Sequence, residues 1–325
     1  MHHSLKIICF IIVLAGTGLS VAYSWLMINK EHAQNDPEPV SELSVWQAPD
    51  TSFIPANDSG KFIRYGRELI VNTAFYFGPK GIVKPISNGL NCQNCHLNAG
   101  TKPWGNNFSA VASMYPKFRQ RSGTIESVEK KINDCFERSM NGSPIAARGR
   151  EMRAMIAYIK WLGGNVKKGT TPYGSGAKKI PYMLSAADTV KGKAVYTSKC
   201  MSCHGKNGEG KWNEARNGFL YPPLWGGHSY NTGAGILRIS KFAAFVKYNM
   251  PFGVSYKAPV LTDEEAWNVA AYVNTQARPL KAADKDWPDI QTKPVDHPFG
   301  PYADTFSEYR HKYGPFTEIE KSMKK

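Results

Sequence analysis

The sequence predicts an all-α chain of two tandem domains built on one plan and followed by an irregular tail. Three observations predict it. Cys92-Gln-Asn-Cys95-His96 recurs 108 residues downstream as Cys200-Met-Ser-Cys203-His204. A helical segment carrying a glycine, Gly66 or Gly192, precedes each copy, and an amphipathic helix closes each domain. Two thiols two residues apart, followed at once by histidine, form the arrangement that attaches a c-type haem. Each thiol adds to one of two neighbouring vinyl groups, and the adjacent imidazole sits beneath the iron as proximal ligand. A zinc site shared by the four thiolates would leave both histidines without a role. The chain is therefore expected to form two cytochrome c-type domains with two covalently bound haem c groups. Cys92, Cys95 and His96 hold one, and Cys200, Cys203 and His204 hold the other.

Taken in order, the 325 residues suit about two domains. Lys6 precedes an apolar run from Ile7 to Ile28 that contains no charged residue. Read as a signal peptide within residues 1–28, Ile7–Leu19 is the apolar core and Ser20-Val-Ala22 the small-residue cleavage site. Read as a membrane anchor, the 22-residue run is long enough to cross a bilayer. Either reading places the protein in the periplasm, where haem thioethers are made, soluble in the first case and held to the inner membrane in the second. Cys9, inside the run, reads as a small apolar residue. Residues 29–58, with four prolines among Asn, Asp, Glu and Ser, read as a tether.

The first domain is expected over 59–165. Ser59 is the expected N-cap of its first helix, with Phe62, Tyr65, Leu69 and Ile70 on one face. Gly66 in that helix costs about 1 kcal/mol relative to alanine, for which a close helix crossing is the usual compensation. Residues 77–85 form a loop that the second domain lacks. Ser143-Pro144 is read as the start of the closing helix and Gly163-Gly164 as its end, with Met152, Met155, Ile156 and Ile159 as an inner stripe. Residues 166–188 read as a linker, clearest at Gly169–Gly176. The second domain, 189–280, opens with a helix over Thr189–Lys199. It closes with one that starts at the capping box Thr262-Asp-Glu-Glu265 and carries Trp267, Ala270, Ala271 and Val273, with Pro279 as its stop. The tail, 281–325, is rich in aromatic residues, unlike disordered tails, and is expected to pack along the domains.

A formal charge of +15 suits acidic partner proteins, anionic lipid or a small anionic substrate. No nucleic-acid-binding motif accompanies it, so nucleic acid is set aside as a partner.

The distal ligands decide the chemistry. In the second domain Met250, 46 residues after His204 and followed by proline, is the expected sixth ligand. A thioether opposite histidine raises the potential and closes the iron, as electron transfer requires. His228 competes with it, but Gly226-Gly227-His228-Ser229 reads as an exposed turn. The first domain has no histidine between His96 and His204, which leaves Met114, Met140 and Cys135. Cys135 stands in a helical stretch, 128–139, whose apolar stripe is Ile125, Val128, Ile132 and Phe136. Lys131, Cys135 and Ser139 follow at intervals of four and share a face beside that stripe. A neighbouring cation favours a thiolate, which is both ligand and nucleophile. An inert buried cysteine fits the spacing equally well.

Asn133-Asp-Cys135-Phe-Glu-Arg-Ser-Met-Asn-Gly142, the two CxxCH motifs and Asn249-Met-Pro-Phe-Gly253 together resemble the thiosulfate dehydrogenase family of di-haem cytochromes c. The resemblance runs from about residue 45 into the tail, where Lys293-Pro-Val-Asp296 and His311–Phe316 also match. It implies oxidation of two thiosulfates to tetrathionate with release of two electrons, or the reverse. It implies that His96 and Cys135 ligate the first, catalytic haem, and that electrons pass through the second haem to a redox partner such as a small cytochrome c. It further implies basic and hydroxyl side chains that hold the substrate, which here are Arg121, Lys131 and Ser139. Lys131 stands where the family leads one to expect arginine, so the charge is kept and the bidentate fork is lost. Some family members carry a lysine just before the distal methionine; Asn249 cannot replace that ligand, so Met250 is expected to act alone. Two other functions fit a pair of haems. A di-haem shuttle without substrate predicts two methionine-type ligands, against which Cys135 argues. A di-haem peroxidase needs an acid-base group above an opening iron, for which Glu129 and Glu137 are the first domain's offers.

Overall fold

In each domain two helices cross at a glycine, and the pair frames the haem-attachment turn. The computed structural model describes residues 45–323. The expected signal peptide or anchor at 1–28, Cys9, and the tether up to residue 44 lie outside the described residues. The longer helices are α1 (Asp58–Val71), α2 (Val128–Asp134), α3 (Arg150–Leu162), α4 (Thr189–Lys199), α5 (Ile239–Asn249) and α6 (Asp263–Asn274). Two short antiparallel hairpins accompany them: Lys117–Arg119 with Thr124–Glu126, and Lys211–Trp212 with Phe219–Tyr221.

A Cβ on Gly66 would stand 1.9 Å from the carbonyl oxygen of Ala154 in α3, and one on Gly192 would stand 1.9 Å from that of Asn268 in α6. Both glycines give up helix propensity so that backbone can meet backbone. The crossing buries Leu69 and Ile70 with Met155, Tyr158, Ile159 and Leu162 in the first core. In the second it buries Tyr196 with Trp267, Ala270, Ala271 and Val273. Gly192→Val is therefore expected to cost about 3 kcal/mol or more by overpacking against main chain. Thermal unfolding followed at the second haem checks this, and an unchanged midpoint would contradict a close crossing.

Helix α1 is capped by Asn57, whose side-chain oxygen accepts from the Gly60 N–H at 3.1 Å, so Ser59 is not the cap. Helix α3 does not start at Ser143-Pro144. The Asn133 amide takes both main-chain groups of Ile145, each at 3.0 Å, and Ser143 N–H donates to Ile86 O. That stretch is thus tied to its neighbours, and the helix begins at Arg150 after Gly149. Helix α6 carries the expected capping box between Thr262 and Glu265. Ile125 does not join the α2 stripe; it lies in a strand and is 73% exposed.

Residues 45–57, read as tether, pack against the first domain because proline count concealed their apolar content. Val45, Trp46 and Ile54 are buried, and Trp46 N–H donates to Tyr173 O at 2.9 Å. The 169–176 linker is likewise fixed: Gly174 O accepts from Trp104 N–H at 2.8 Å and from Asn107 Nδ2 at 2.7 Å. In the tail, Phe316 and Ile319 are buried in the second core, with the Phe316 ring 5.7 Å from that of Trp267. Asp296 accepts from Ser240 N–H and from Arg238, and so satisfies the start of α5. Burial opposes its charge, yet Arg238 and the Ser240 hydrogen bonds hold the carboxyl below the ordinary range. Among the described residues no helix is long and apolar enough to cross a membrane.

Candidate functional site

The first attachment turn is fixed by asparagines and by the end of α1. Cys92–Asn94 form one 3-10 turn, in which Asn91 N–H donates to the Asn94 side chain at 2.7 Å. Cys92 N–H donates to Thr73 Oγ1 at 3.0 Å, and Gln93 Nε2 donates to Val71 O at 2.9 Å. His96 N–H reaches back to Cys92 O at 2.9 Å, as His204 N–H reaches Cys200 O at 3.0 Å. One short turn thus carries both thiols and the imidazole in each domain.

Both imidazoles are held by the same device. His96 Nδ1 lies 2.5 Å from Asn106 O, and His204 Nδ1 lies 2.8 Å from Pro222 O. A proton on Nδ1 donated to a carbonyl leaves the Nε2 lone pair free, the arrangement that a ligating histidine needs. Burial pushes His96 down to about 4 and lowers His204 as well, so both are neutral at pH 7. Burial raises Cys92 and Cys95 to about 12. Among the described residues no three His, Cys, Asp or Glu side chains converge to hold a bare metal ion. Two neutral thiols, one oriented imidazole and an apolar wall fit covalent haem.

That wall lines a cavity of about 120 Å³ in the first domain. Ile70, Leu90, Phe108, Val111, Val128, Ile132 and Ile159 line it together with Cys92, Cys95 and His96. Lys131, Cys135 and Ser139 line the same cavity, so the three residues read as one face do converge on it. The helix changes at Cys135. Helix α2 ends at Asp134, and Cys135–Ser139 continue as a π-helical turn in which Met140 N–H donates to Cys135 O at 2.9 Å. Single π-turns are rare and recur at functional sites. Of the other two distal candidates, Met140 also lines the cavity and Met114 does not.

Arg121 does not line the cavity. Its Nη1 donates to Gly233 O at 2.8 Å, its Nε lies 3.8 Å from Asp286, and its guanidinium stands over the Trp287 ring. These contacts join the first domain to the second and to the tail. Glu129 and Glu137 are also absent from the lining, and Glu137 faces Lys281 at 3.5 Å.

In the second domain Met250 terminates α5 and packs against the second apolar core, as Cys200, Leu224 and Tyr256 also do. His228 is exposed, with its ring 5.5 Å from that of Trp212. Asn106, whose carbonyl orients His96, and Phe108, whose ring lies 4.6 Å from the imidazole, carried no sequence signal.

Residues 84–167 match the cytochrome c domain of the SoxA/TsdA family, and residues 189–277 match cytochrome c. The chain is 37% identical to a thiosulfate dehydrogenase of Stutzerimonas stutzeri over 73% of its own length and 74% of that protein's. It is 35% identical to a thiosulfate dehydrogenase of Allochromatium vinosum, over 81% of this chain and 94% of the relative. A solved thiosulfate dehydrogenase from Marichromatium purpuratum, in its as-isolated form, superposes with a TM-score of 0.66 at 30% identity, covering 73% of this chain and half of that longer one. With two oriented haem sites and relatives that match along most of its length, this chain belongs to the thiosulfate dehydrogenase family of c-type cytochromes.

Proposed function

We propose that the protein is an exported enzyme that interconverts two thiosulfates with tetrathionate and two electrons, with Cys135 as its reacting group. One observation carries this reading: Cys135 opens a π-turn and faces the same cavity as Cys92, Cys95 and His96, with Lys131 and Ser139 beside it. An electron shuttle has no use for a thiol, a cation and a hydroxyl in one apolar cavity. His96 and Cys135 are the proposed ligands of the first haem, and His204 and Met250 those of the second. The haems supply one-electron uptake and passage of each electron to an external carrier such as a small cytochrome c.

The chain's own residues perform the sulfur chemistry. The Cys135 thiolate bonds to the outer sulfur of one thiosulfate, two electrons leave, and Cys135–S–S–SO3⁻ remains. The outer sulfur of a second thiosulfate then attacks the sulfur that bears the sulfonate. Tetrathionate departs and the Cys135 thiolate returns. Lys131 places its charge where two dianions must follow one another, and Ser139 offers a hydroxyl donor to a sulfonate oxygen. Export follows from the thioether chemistry that the two attachment turns require, with residues 7–28 as signal core or anchor.

The test is an assay of purified holoprotein with thiosulfate and an electron acceptor, and with tetrathionate and a donor. Turnover in neither direction would reject the reading. Lys131→Met is expected to raise KM for thiosulfate about tenfold, the scale of one charge-assisted contact, and to flatten its dependence on salt. Steady-state rates across ionic strengths check this, and Lys131→Arg should recover most of the loss.

A further inference from the structure

The π-turn that begins at Cys135 is not self-sufficient. Four successive carbonyls at the end of a helix lack intrahelical partners and must be satisfied elsewhere. Here Cys135 O accepts from Met140 N–H at 2.9 Å, and Phe136 O accepts from Gly142 N–H at 2.9 Å. The next two, Glu137 O and Arg138 O, are taken by one residue of the second haem's domain. Asn231 Nδ2 donates to Glu137 O at 2.8 Å, and Asn231 N–H donates to Arg138 O at 3.1 Å. The same Nδ2 donates to Asn141 Oδ1 at 3.0 Å, and the Asn231 Oδ1 accepts from Gly233 N–H at 3.0 Å. Asn231 is 1% exposed, and every hydrogen-bonding group of its side chain is committed.

The grip extends outward from that residue. Gly233 O accepts from Arg121 Nη1 at 2.8 Å, and Arg138 makes two 2.8 Å hydrogen bonds to the two oxygens of Asp286 in the tail. A Cβ on Gly233 would lie 2.9 Å from Arg138 Nη1, so the loop packs against the guanidinium that the π-turn presents.

We propose that Asn231, contributed by the second haem's domain, is a positioning residue for Cys135: it fixes the π register that turns both Cys135 and Ser139 into the first cavity. The proposal rests on the reading of Cys135 as the reacting group. In an α-helical register the turn would tighten, and Ser139 would stand at a different angle to Cys135 over the cavity. Without its amide donors, the two carbonyls lose the partner that holds them out of that register. The reacting sulfur is thereby set by a loop 94 positions away from the π-turn it grips.

Asn231→Asp keeps the shape and the acceptor oxygen and removes both Nδ2 donors; Asn231→Ala removes the side chain. In the holoprotein kcat should fall between about tenfold and a hundredfold, the scale of a misplaced reacting group, with KM within about twofold. Low-temperature electron paramagnetic resonance should show the thiolate-ligated signal of the first haem broadened or replaced, and the second haem's signal unchanged. Wild-type kcat and an unaltered thiolate signal in both variants would overturn the proposal. So would joint loss of both haem signals in both variants, which would assign Asn231 to folding alone. A wild-type protein without a thiolate signal or thiosulfate turnover would instead defeat the reading of Cys135.

Discussion

Replacing Cys135 with alanine or serine should abolish thiosulfate oxidation and tetrathionate reduction while both haems stay attached. The two attachment motifs assign the covalent bonds to Cys92, Cys95, Cys200 and Cys203, so loss of Cys135 should leave attachment intact. What disappears is the sulfur that carries half of the product. Two thiosulfates are both dianions, and joining them directly sets like charges against each other in a water-poor cavity, where the repulsion is least screened. A covalent thiol carrier replaces that encounter with two steps, each bringing one dianion to an enzyme group. The loss should exceed about a thousandfold in kcat/KM, on the scale of removing a covalent nucleophile. Steady-state assays in both directions, with haem content measured on the same samples, decide the matter. A Cys135→Ala protein with near-normal turnover and two haems would remove the best reason for assigning sulfur chemistry to this chain.

The sequence displayed those parts of the site that are local, and concealed those made by distant segments. The attachment turns were legible because the distance between two vinyl groups dictates the cysteine spacing. The helix crossings were legible because Gly66 and Gly192 are costly in helices unless something must come close, and the carbonyls of Ala154 and Asn268 do. Lys131, Cys135 and Ser139 were legible as one face from their intervals of four, although the turn that carries Cys135 and Ser139 is π rather than α. The contacts of Arg121 were hidden because its partners, Gly233 and Asp286, lie far along the chain, and nothing near position 121 announces them. The same blindness hid Asn231, whose targets are main-chain carbonyls and leave no mark in side-chain identity. Residues 45–57 were mistaken for tether because prolines outweighed Trp46 and Ile54 in a reading by composition.

The two halves of the site are therefore not independent modules. The first domain's loop reaches the end of α5, where Asn249 Nδ2 donates to Trp104 O at 3.2 Å and Lys102 Nζ donates to Val254 O at 3.0 Å. The second domain's loop returns the grip through Asn231. The element carrying each proposed distal ligand is thus held partly by the opposite domain.

Met250→Gly is expected to give the largest change at the second haem. Helix α5 is fixed at its start by Asp296 and at its end by Asn249, and Met250 follows directly, packed against the same core as Cys200. As the proposed distal ligand, the Met250 thioether would favour the reduced iron and exclude other ligands, which suits a site that passes electrons on. Glycine removes the thioether and would leave that haem without its proposed sulfur ligand. The potential of this haem should fall on the order of 0.1 V or more, within the roughly 0.8 V range that axial ligands command. Electrons from thiosulfate would then meet a less favourable acceptor, so oxidation should slow while the thiolate signal of the first haem stays as in the wild type. Redox titration of the two haems together with stopped-flow reduction by thiosulfate measures both effects. An unchanged potential and spectrum would remove Met250 as the ligand, and His228, exposed and edge-on to Trp212, offers no ready replacement in this arrangement.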